Sequence, residues 1–354
     1  MKRILITGGC GFVGATLATS FKTKYPDYHI IAFDNLKRRG SELNIPRLKA
    51  MGIEFVHGDI RNAEDFHDLP EVDLVIEAAA EPSVLAGLEG STGYLLNTNL
   101  QGTIHCLEYA RRSKAQFIFL STSRIYPMTT IDQIRYREDA TRFVLEENQT
   151  IPGVSPLGLS EQFPLEGSRS LYGASKLASE LMVTEYDALL GVPAVINRCG
   201  VITGPYQMGK VDQGVVVLWV AKHFWNQKLG YFGYGGTGKQ VRDMLHADDL
   251  FRLVDWQAHH LNEVRGQIFN AGGGPEVSVS LLELTALCEE ITGNKIEIQR
   301  VAETRAADIP WYVTDNSKIT KTMGWKPEKT PKDIIFDIYN WIRENESALK
   351  PILG

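Results

Sequence analysis

The segment Gly8-Gly9-Cys10-Gly11-Phe12-Val13-Gly14 directly follows a short apolar run, Arg3-Ile4-Leu5-Ile6-Thr7. This junction restricts the fold more than any other feature of the chain. Glycine is required where a chain turns tightly, where backbone must approach a pyrophosphate, and where a helix packs closely on a strand. A strand, a glycine loop and a helix in that order aim the first helical amides at a phosphate. Asp34 ends a second apolar run twenty residues after Gly14. That is the spacing at which a carboxylate meets an adenosine ribose. A plain glycine turn explains the glycines but not the acid behind them.

The same plan repeats. His29–Asp34, Ile53–Asp59, Asp73–Ala80, Gln116–Thr122 and Pro193–Cys199 are runs of the length of buried parallel strands, and helical segments separate them. The pattern predicts an α/β fold with a Rossmann-like doubly wound parallel sheet; the smaller, discontinuous C-terminal α/β substrate lobe is what the family resemblance given below implies. The expected division is a dinucleotide domain over residues 1–200 and a mainly substrate-binding lobe over 201–354. Segments of about 240–272 are expected to return to the first domain. Residues 127–170 are polar and hold four prolines. They read as an insertion of short helices or turns near the active site, since long loops in compact domains are often functional. Helices are expected over 91–113, 172–190, 212–225, 280–293 and 331–346, and a strand over 295–301.

Composition narrows the partners. Of 354 residues, 44% are hydrophobic and 23% charged, with a net charge of −6. The cations are scattered, so no basic stripe offers itself to nucleic acid. No apolar run reaches the roughly 18 residues of a membrane span. The four cysteines are far apart and form no metal-ligand spacing. The chain therefore reads as a reduced, cytoplasmic protein with no metal, no nucleic-acid partner and no membrane partner.

Asp34 is expected to accept from the ribose hydroxyls and to repel a 2′-phosphate, which selects NAD. Lys37 and Arg38 nearby could instead pair with such a phosphate. Asp59 and Ile60 are placed to touch adenine, and Ala78, Ala79 and Ala80 offer small-residue backbone for close approach. Tyr172 and Lys176 lie four residues apart at the start of a strong helix, on one face. A lysine ammonium and a cationic nicotinamide would lower a phenol from about 10 toward working pH. Such a phenol can take a proton from a sugar hydroxyl. A second Tyr-x-x-x-Lys, Tyr206 to Lys210, sits in a Gly/Pro-flanked stretch where no helix is expected. Thr122 ends the fifth strand, where open α/β sheets build their ligand crevice. It reads equally as a hydroxyl that caps backbone.

Together these residues resemble the extended short-chain dehydrogenase/reductase superfamily. The resemblance spans nearly the whole chain, through Asp34-Asn35, His57-Gly58-Asp59, Asn99, Tyr172/Lys176, Val241-Arg242-Asp243 and Arg305-Ala306-Ala307-Asp308. It implies Thr122, Tyr172 and Lys176 as catalytic residues, Thr122 being four residues before Tyr126. It implies NAD contacts at Gly8, Gly11, Phe12, Val13, Asp34, Asn35, Asp59, Ile60, Ala78, Ala79, Ala80, Asn99, Ser121, Tyr172, Lys176 and Cys199. It assigns Arg242 and Arg305 to the diphosphate of a nucleotide sugar. Ser123, Gln213, Lys239, Gln240 and Asp308 complete the expected substrate set.

Narrower blocks, among them Ile6–Phe12, Phe55–Asn62 and Gly238–Ala247, are similar to the CDP-paratose 2-epimerase family, also called CDP-tyvelose epimerases. That similarity implies NAD-dependent epimerisation of a CDP-sugar at C2 through a transient keto sugar, a step of lipopolysaccharide biosynthesis. It also implies a homodimer or homotetramer formed through the helices near 91–113 and 172–190. A UDP- or GDP-sugar 4-epimerase or a dehydratase on the same scaffold stays open, as does a non-catalytic NAD sensor. Dehydratases of this superfamily carry Asp-Glu after the catalytic Thr, where this chain has Ser123-Arg124; sensors often lack the Tyr or Lys. Glu77 and Glu81 stand where the superfamily has His and Gln, and Pro127 where it has Gly. These departures lie near the expected sugar and base pockets.

Overall fold

The computed structural model describes residues 2–88, 90–209, 213–304 and 308–354. The chain divides into two compact units. The first comprises the chain up to Ile125, Leu171–Arg198 and Leu250–Phe269, and the second Tyr126–Ser170, Cys199–Asp249 and Asn270–Gly354. The insertion thus groups with the second unit, and Leu250–Phe269, from within the expected returning region, groups with the first.

The first unit is built on a seven-stranded sheet. Its order is Ile268–Ala271, Ala194–Cys199, Gln116–Thr122, Leu74–Glu77, Arg3–Thr7, His29–Asp34, Glu54–His57. The pairs from Gln116–Thr122 to Glu54–His57 all run parallel. The strand order reverses between Arg3–Thr7 and Leu74–Glu77, which makes that gap the topological switch point. Most of these strands carry no alternation because helices cover both faces, as parallel sheets require. Leu5 is in register with Ile31 on one side and with Val75 on the other, and Val75 with Phe117. This ladder packs against Cys106, Leu107 and Val183 in one core. Each such side chain contributes about 1.5–3 kcal/mol by burial. Two residues further on, Thr7, Phe33, Glu77 and Phe119 are also in register. One carboxylic acid therefore sits in a buried layer whose other members are two phenylalanines and a threonine.

The helix expected over 91–113 is not one regular helix. Gly93–Leu96 is α-helical, Asn97–Gln101 is a π-turn and Gly102–Ser113 is α-helical again. The Asn99 carbonyl at this turn accepts from the Thr103 hydroxyl (2.7 Å) and the Ser179 hydroxyl (2.6 Å). Those side-chain bonds take up a carbonyl that the wider turn frees from the regular ladder.

The second unit contains a sheet of Val201–Thr203, Val241–His246, Ser278–Ser280 and Trp311–Tyr312. A parallel pair, Leu229–Phe232 with Ile298–Val301, stands apart from it. Helices Val215–Phe224, Leu281–Thr292 and Pro331–Glu344 bury Val217, Trp219, Leu284, Cys288, Ile335 and Ile338 in a second core. Helix Leu281–Thr292 starts at a capping box, Ser280 with Glu283, and ends at Gly293 in the left-handed conformation. The insertion holds one helical turn, Met128–Ile131, and two hairpins, Tyr136–Glu138 with Phe143–Leu145 and Val154–Ser155 with Gly158–Leu159. Arg142 ties the first hairpin to Glu283 (Nε to Oε1 2.8 Å) and to the Ser278 carbonyl (2.8 Å).

Candidate active site

The glycine loop is sterically determined. Gly8 has φ +63°, and a Cβ there would lie 2.9 Å from the Ala79 backbone. A Cβ on Gly14 would lie 2.2 Å from the Gly8 carbonyl oxygen. Helix Phe12–Lys24 begins at Gly11 with no side chain capping its first amides and no acid in its first turn. Its N-terminus therefore presents donors and a positive dipole end to an anion. Phe12 and Val13 are its first residues, half-buried.

Asp34 is buried at the end of its strand. Its carboxylate accepts from Cys10 N–H (3.0 Å) and Leu36 N–H (2.7 Å). Burial raises its pKa, and backbone hydrogen bonds from Leu36, Cys10 and Gly11 oppose the rise. Asn35 donates to Asp59 (2.9 Å), which also pairs with Arg61 (2.6 Å). Burial raises the Asp59 pKa, but the hydrogen bonds from Arg61 outweigh it and hold the carboxyl at about 2. Ile60 is buried beside Gly102, and the Lys37 ammonium stands 5.2 Å from the Tyr94 ring centroid. Asn99 bridges two elements: its amide accepts from Glu81 N–H (2.8 Å) and donates to the Ser175 hydroxyl (3.1 Å). An uncapped helix start, a glycine cradle and an acid at the second strand end fit the phosphates and ribose of a dinucleotide.

Tyr172 is the second residue of helix Leu171–Leu189, and Lys176 lies one turn on. Both are buried, Lys176 to 1% exposure. The Lys176 ammonium is 3.8 Å from the Phe119 ring centroid, a cation–π contact. Ser175 donates to the Tyr172 carbonyl (2.8 Å). Thr122 is buried at the end of its strand, where its hydroxyl accepts from Arg124 N–H (3.2 Å), and Ser123 follows, also buried. Ser121 donates to Glu180 (2.5 Å), and Glu180 pairs with Arg198 (2.8 Å). Tyr206 of the second Tyr-x-x-x-Lys lies outside any helix, with φ +71°, and Lys210 lies outside the described residues.

Residues 4–272 match the model of the NAD dependent epimerase/dehydratase family. The chain belongs to this family. It is therefore related to nucleotide-sugar epimerases and dehydratases, and its cofactor is NAD. It is 33% identical to a CDP-paratose 2-epimerase from Salmonella typhi, over 96% of this chain and 98% of that one. It is 29% identical to a putative UDP-glucose 4-epimerase from Methanocaldococcus jannaschii, over 97% and 99%. Among solved structures, a dTDP-glucose 4,6-dehydratase double mutant from Streptomyces venezuelae with NAD bound superposes with a TM-score of 0.78. That match has 28% identity and covers 99% of both chains.

Of the expected substrate residues, Gln213, Lys239, Gln240, Arg242 and Asp308 lie in the second unit and Ser123 in the first. Arg242 is held by Asp308 (2.9 Å) and by the carbonyls of Val241 (2.7 Å) and Ile309 (2.6 Å). Lys239 pairs with Glu138 of the insertion (2.8 Å). Gln240 donates to the Phe232 carbonyl (2.9 Å), while its Oε1 is buried with no partner among the described residues. Gln213 Oε1 is in the same condition. Cys199 is buried at its strand end, and Arg305 lies outside the described residues. His246 anchors a turn, its Nδ1 accepting from Asp248 N–H (3.1 Å). No helix among the described residues is long and apolar enough to cross a membrane, and none of their acidic, His and Cys side chains cluster as a metal site.

Sequence reasoning overlooked Glu180 and Arg198. The available signal was position: Glu180 is four residues beyond Lys176, so it shares the face of Tyr172 and Lys176. Arg198 is a cation within a strand that is mostly apolar and buried throughout.

Proposed function

We propose that the protein epimerises a nucleotide-diphospho-sugar, namely a CDP-sugar at C2. The observation that carries the substrate reading is the 33% identity to the CDP-paratose 2-epimerase along almost the full length of both chains. When bound, NAD supplies reversible acceptance of hydride. The chain's own residues hold it: Gly8, Gly11 and the start of helix Phe12–Lys24 at the diphosphate, Asp34 at the adenosine ribose, and Asn35, Asp59 and Ile60 around adenine. Tyr172 takes the proton of the C2 hydroxyl and later returns it. Lys176 keeps positive charge beside the phenol, and Thr122 hydrogen-bonds the reacting oxygen. Arg242, fixed by Asp308, and Arg305 anchor the diphosphate, so that the keto sugar can present its other face between the two transfers. Ser123, Gln213, Lys239 and Gln240 contact the sugar or the nucleotide, and Cys199 contacts the cofactor.

A second reading, 4-epimerisation of a UDP-sugar, is favoured by the 29% identity to the putative UDP-glucose 4-epimerase. Dehydration is disfavoured by Ser123 and Arg124, which follow Thr122 in place of an Asp-Glu pair. Exposed Leu96, Leu181 and Leu189, on the two helical segments expected to meet a second copy, support a homo-oligomer. Proton NMR of the purified protein with CDP-, UDP- and GDP-sugars tests the substrate. Inverted C2 coupling in CDP-paratose is the expected result. Inversion at C4 of another nucleotide sugar overturns C2 in favour of the second reading. Tyr172→Phe is expected to abolish turnover and retain NAD binding; surviving turnover overturns the proposed base.

A further inference from the structure

Glu77 plays no part in the chemistry above, yet it is the most unusually placed acid in the first unit. It is the last residue of strand Leu74–Glu77, at the switch point, in register with Thr7 on one side and Phe119 on the other. Register partners in a parallel sheet point to the same face, about 4.8 Å apart. Lys176 rests its ammonium on that same Phe119. The carboxyl and the ammonium are therefore neighbours under one layer, and neither reaches solvent.

The carboxyl is only half satisfied by neutral partners. Its Oε1 lies 2.7 Å from the Thr103 hydroxyl, and its Oε2 is buried with no hydrogen-bond partner among the described residues. The Thr103 hydroxyl is also 2.7 Å from the Asn99 carbonyl. With one hydrogen to give, Thr103 can serve both states of the acid. When Glu77 carries a proton, it can donate to Thr103, which donates to Asn99. When Glu77 is ionised, Thr103 donates to it, and Asn99 keeps the Ser179 hydroxyl.

We propose that Glu77 is the buried counter-charge of Lys176 and thereby a positioning residue for Tyr172. The inference rests on the reading that Tyr172 and Lys176 carry the proton chemistry. An ionised Glu77 offsets the ammonium that favours the phenolate, so the charge of Glu77 sets the pH at which Tyr172 works. Beside Phe119 of strand Gln116–Thr122, three elements bring polar or titratable groups to the carboxyl. Helix Leu171–Leu189 brings the cation Lys176. Helix Gly102–Ser113 brings Cys106, whose thiol is pushed well up by burial and then by Glu77. The first strand brings Thr7. Burial pushes the Glu77 carboxyl up to about 7, against the pull of Lys176 and the Thr103 hydrogen bond.

Infrared difference spectroscopy of the protonated-carboxyl band, wild type against Glu77→Gln, reads this proton without any sugar. The band is expected to titrate near neutrality, with its midpoint moved upward in Lys176→Met, where the cation is gone. A band that does not titrate between about pH 5 and 9, or a midpoint unmoved in Lys176→Met, overturns the proposal. Should Glu77→Gln fold poorly, Thr103→Val supplies the reference: losing a donor to the ionised form must also raise the midpoint. With CDP-paratose as the probe, the acid limb of kcat/KM in Glu77→Gln is expected to move to lower pH by roughly half a unit or more. An unmoved limb with an inactive Tyr172→Phe refutes the role of Glu77 alone. An active Tyr172→Phe refutes the base while the infrared result stands on its own.

Discussion

Arg198→Met tests the energetics beneath the site. The guanidinium meets Glu180 through Nε (3.1 Å to Oε2) and Nη2 (2.8 Å to Oε2), and the side chains are 5% and 2% exposed. Removing Arg198 leaves a buried carboxylate with the Ser121 hydroxyl still donating to it. Breaking a buried pair in this way costs about 3–5 kcal/mol, whereas replacing both partners by apolar groups is often neutral or better. A unit of roughly 150–250 residues shifts its Tm by about 2–4 °C per kcal/mol. Arg198→Met should thus lower the melting transition of the first unit by roughly 6–20 °C. The double variant Arg198→Met/Glu180→Leu should recover part of that loss, with the orphaned Ser121 hydroxyl retaining about 1–3 kcal/mol of it. Calorimetry locates the transition, and urea titration followed through Trp256, the one tryptophan of the first unit, assigns it. A loss in Arg198→Met below about 1 kcal/mol, or a double variant as unstable as the single, would refute the uncompensated-charge argument.

Two other substitutions probe the cradle and the second unit. Gly14→Ala forces a methyl onto the Gly8 carbonyl, a backbone atom that cannot rotate away; NAD affinity by calorimetry should fall at least roughly tenfold, with about 1–3 kcal/mol of stability lost, and an unchanged Kd would show that the loop is looser than it looks. His246 has its pKa lowered, chiefly by burial. The unfolded chain therefore binds the proton first as pH falls, so stability is present above about 6.5 and is lost progressively below it. His246→Asn keeps an acceptor for Asp248 N–H and should flatten the fall in Tm between pH 7.5 and 5.5; an equal fall in both proteins would place the titrating group elsewhere.

The parts of the fold that are legible in the sequence are those with a period or a steric demand. Apolar runs mark the parallel strands, and Ser280, Glu283 and Gly293 mark both ends of one helix because caps need those residue types. The glycine loop and Asp34 are legible because only one arrangement needs them together. The insertion is not, since strands of two or three residues have no period to detect. The helix expected to start at 212 starts at Val215, after Gly214 turns the chain with φ +80°. The pairings within Ser121–Glu180–Arg198 and Glu77–Thr103–Asn99 are not legible in sequence, because their members come from separate strands and helices that only the packing of helix on sheet brings together.

Glu283 occupies two roles at once. It closes the capping box of helix Leu281–Thr292, and it receives Arg142 and Thr141 from the insertion hairpin. Lifting the hairpin away exposes the acid that fastens the helix start, and fraying that start releases the hairpin. The two segments, about 140 residues apart along the chain, therefore open as one cooperative unit. Their amides should exchange with solvent at a common rate, and a protease that cuts the hairpin would register the melting of a helix it never touches.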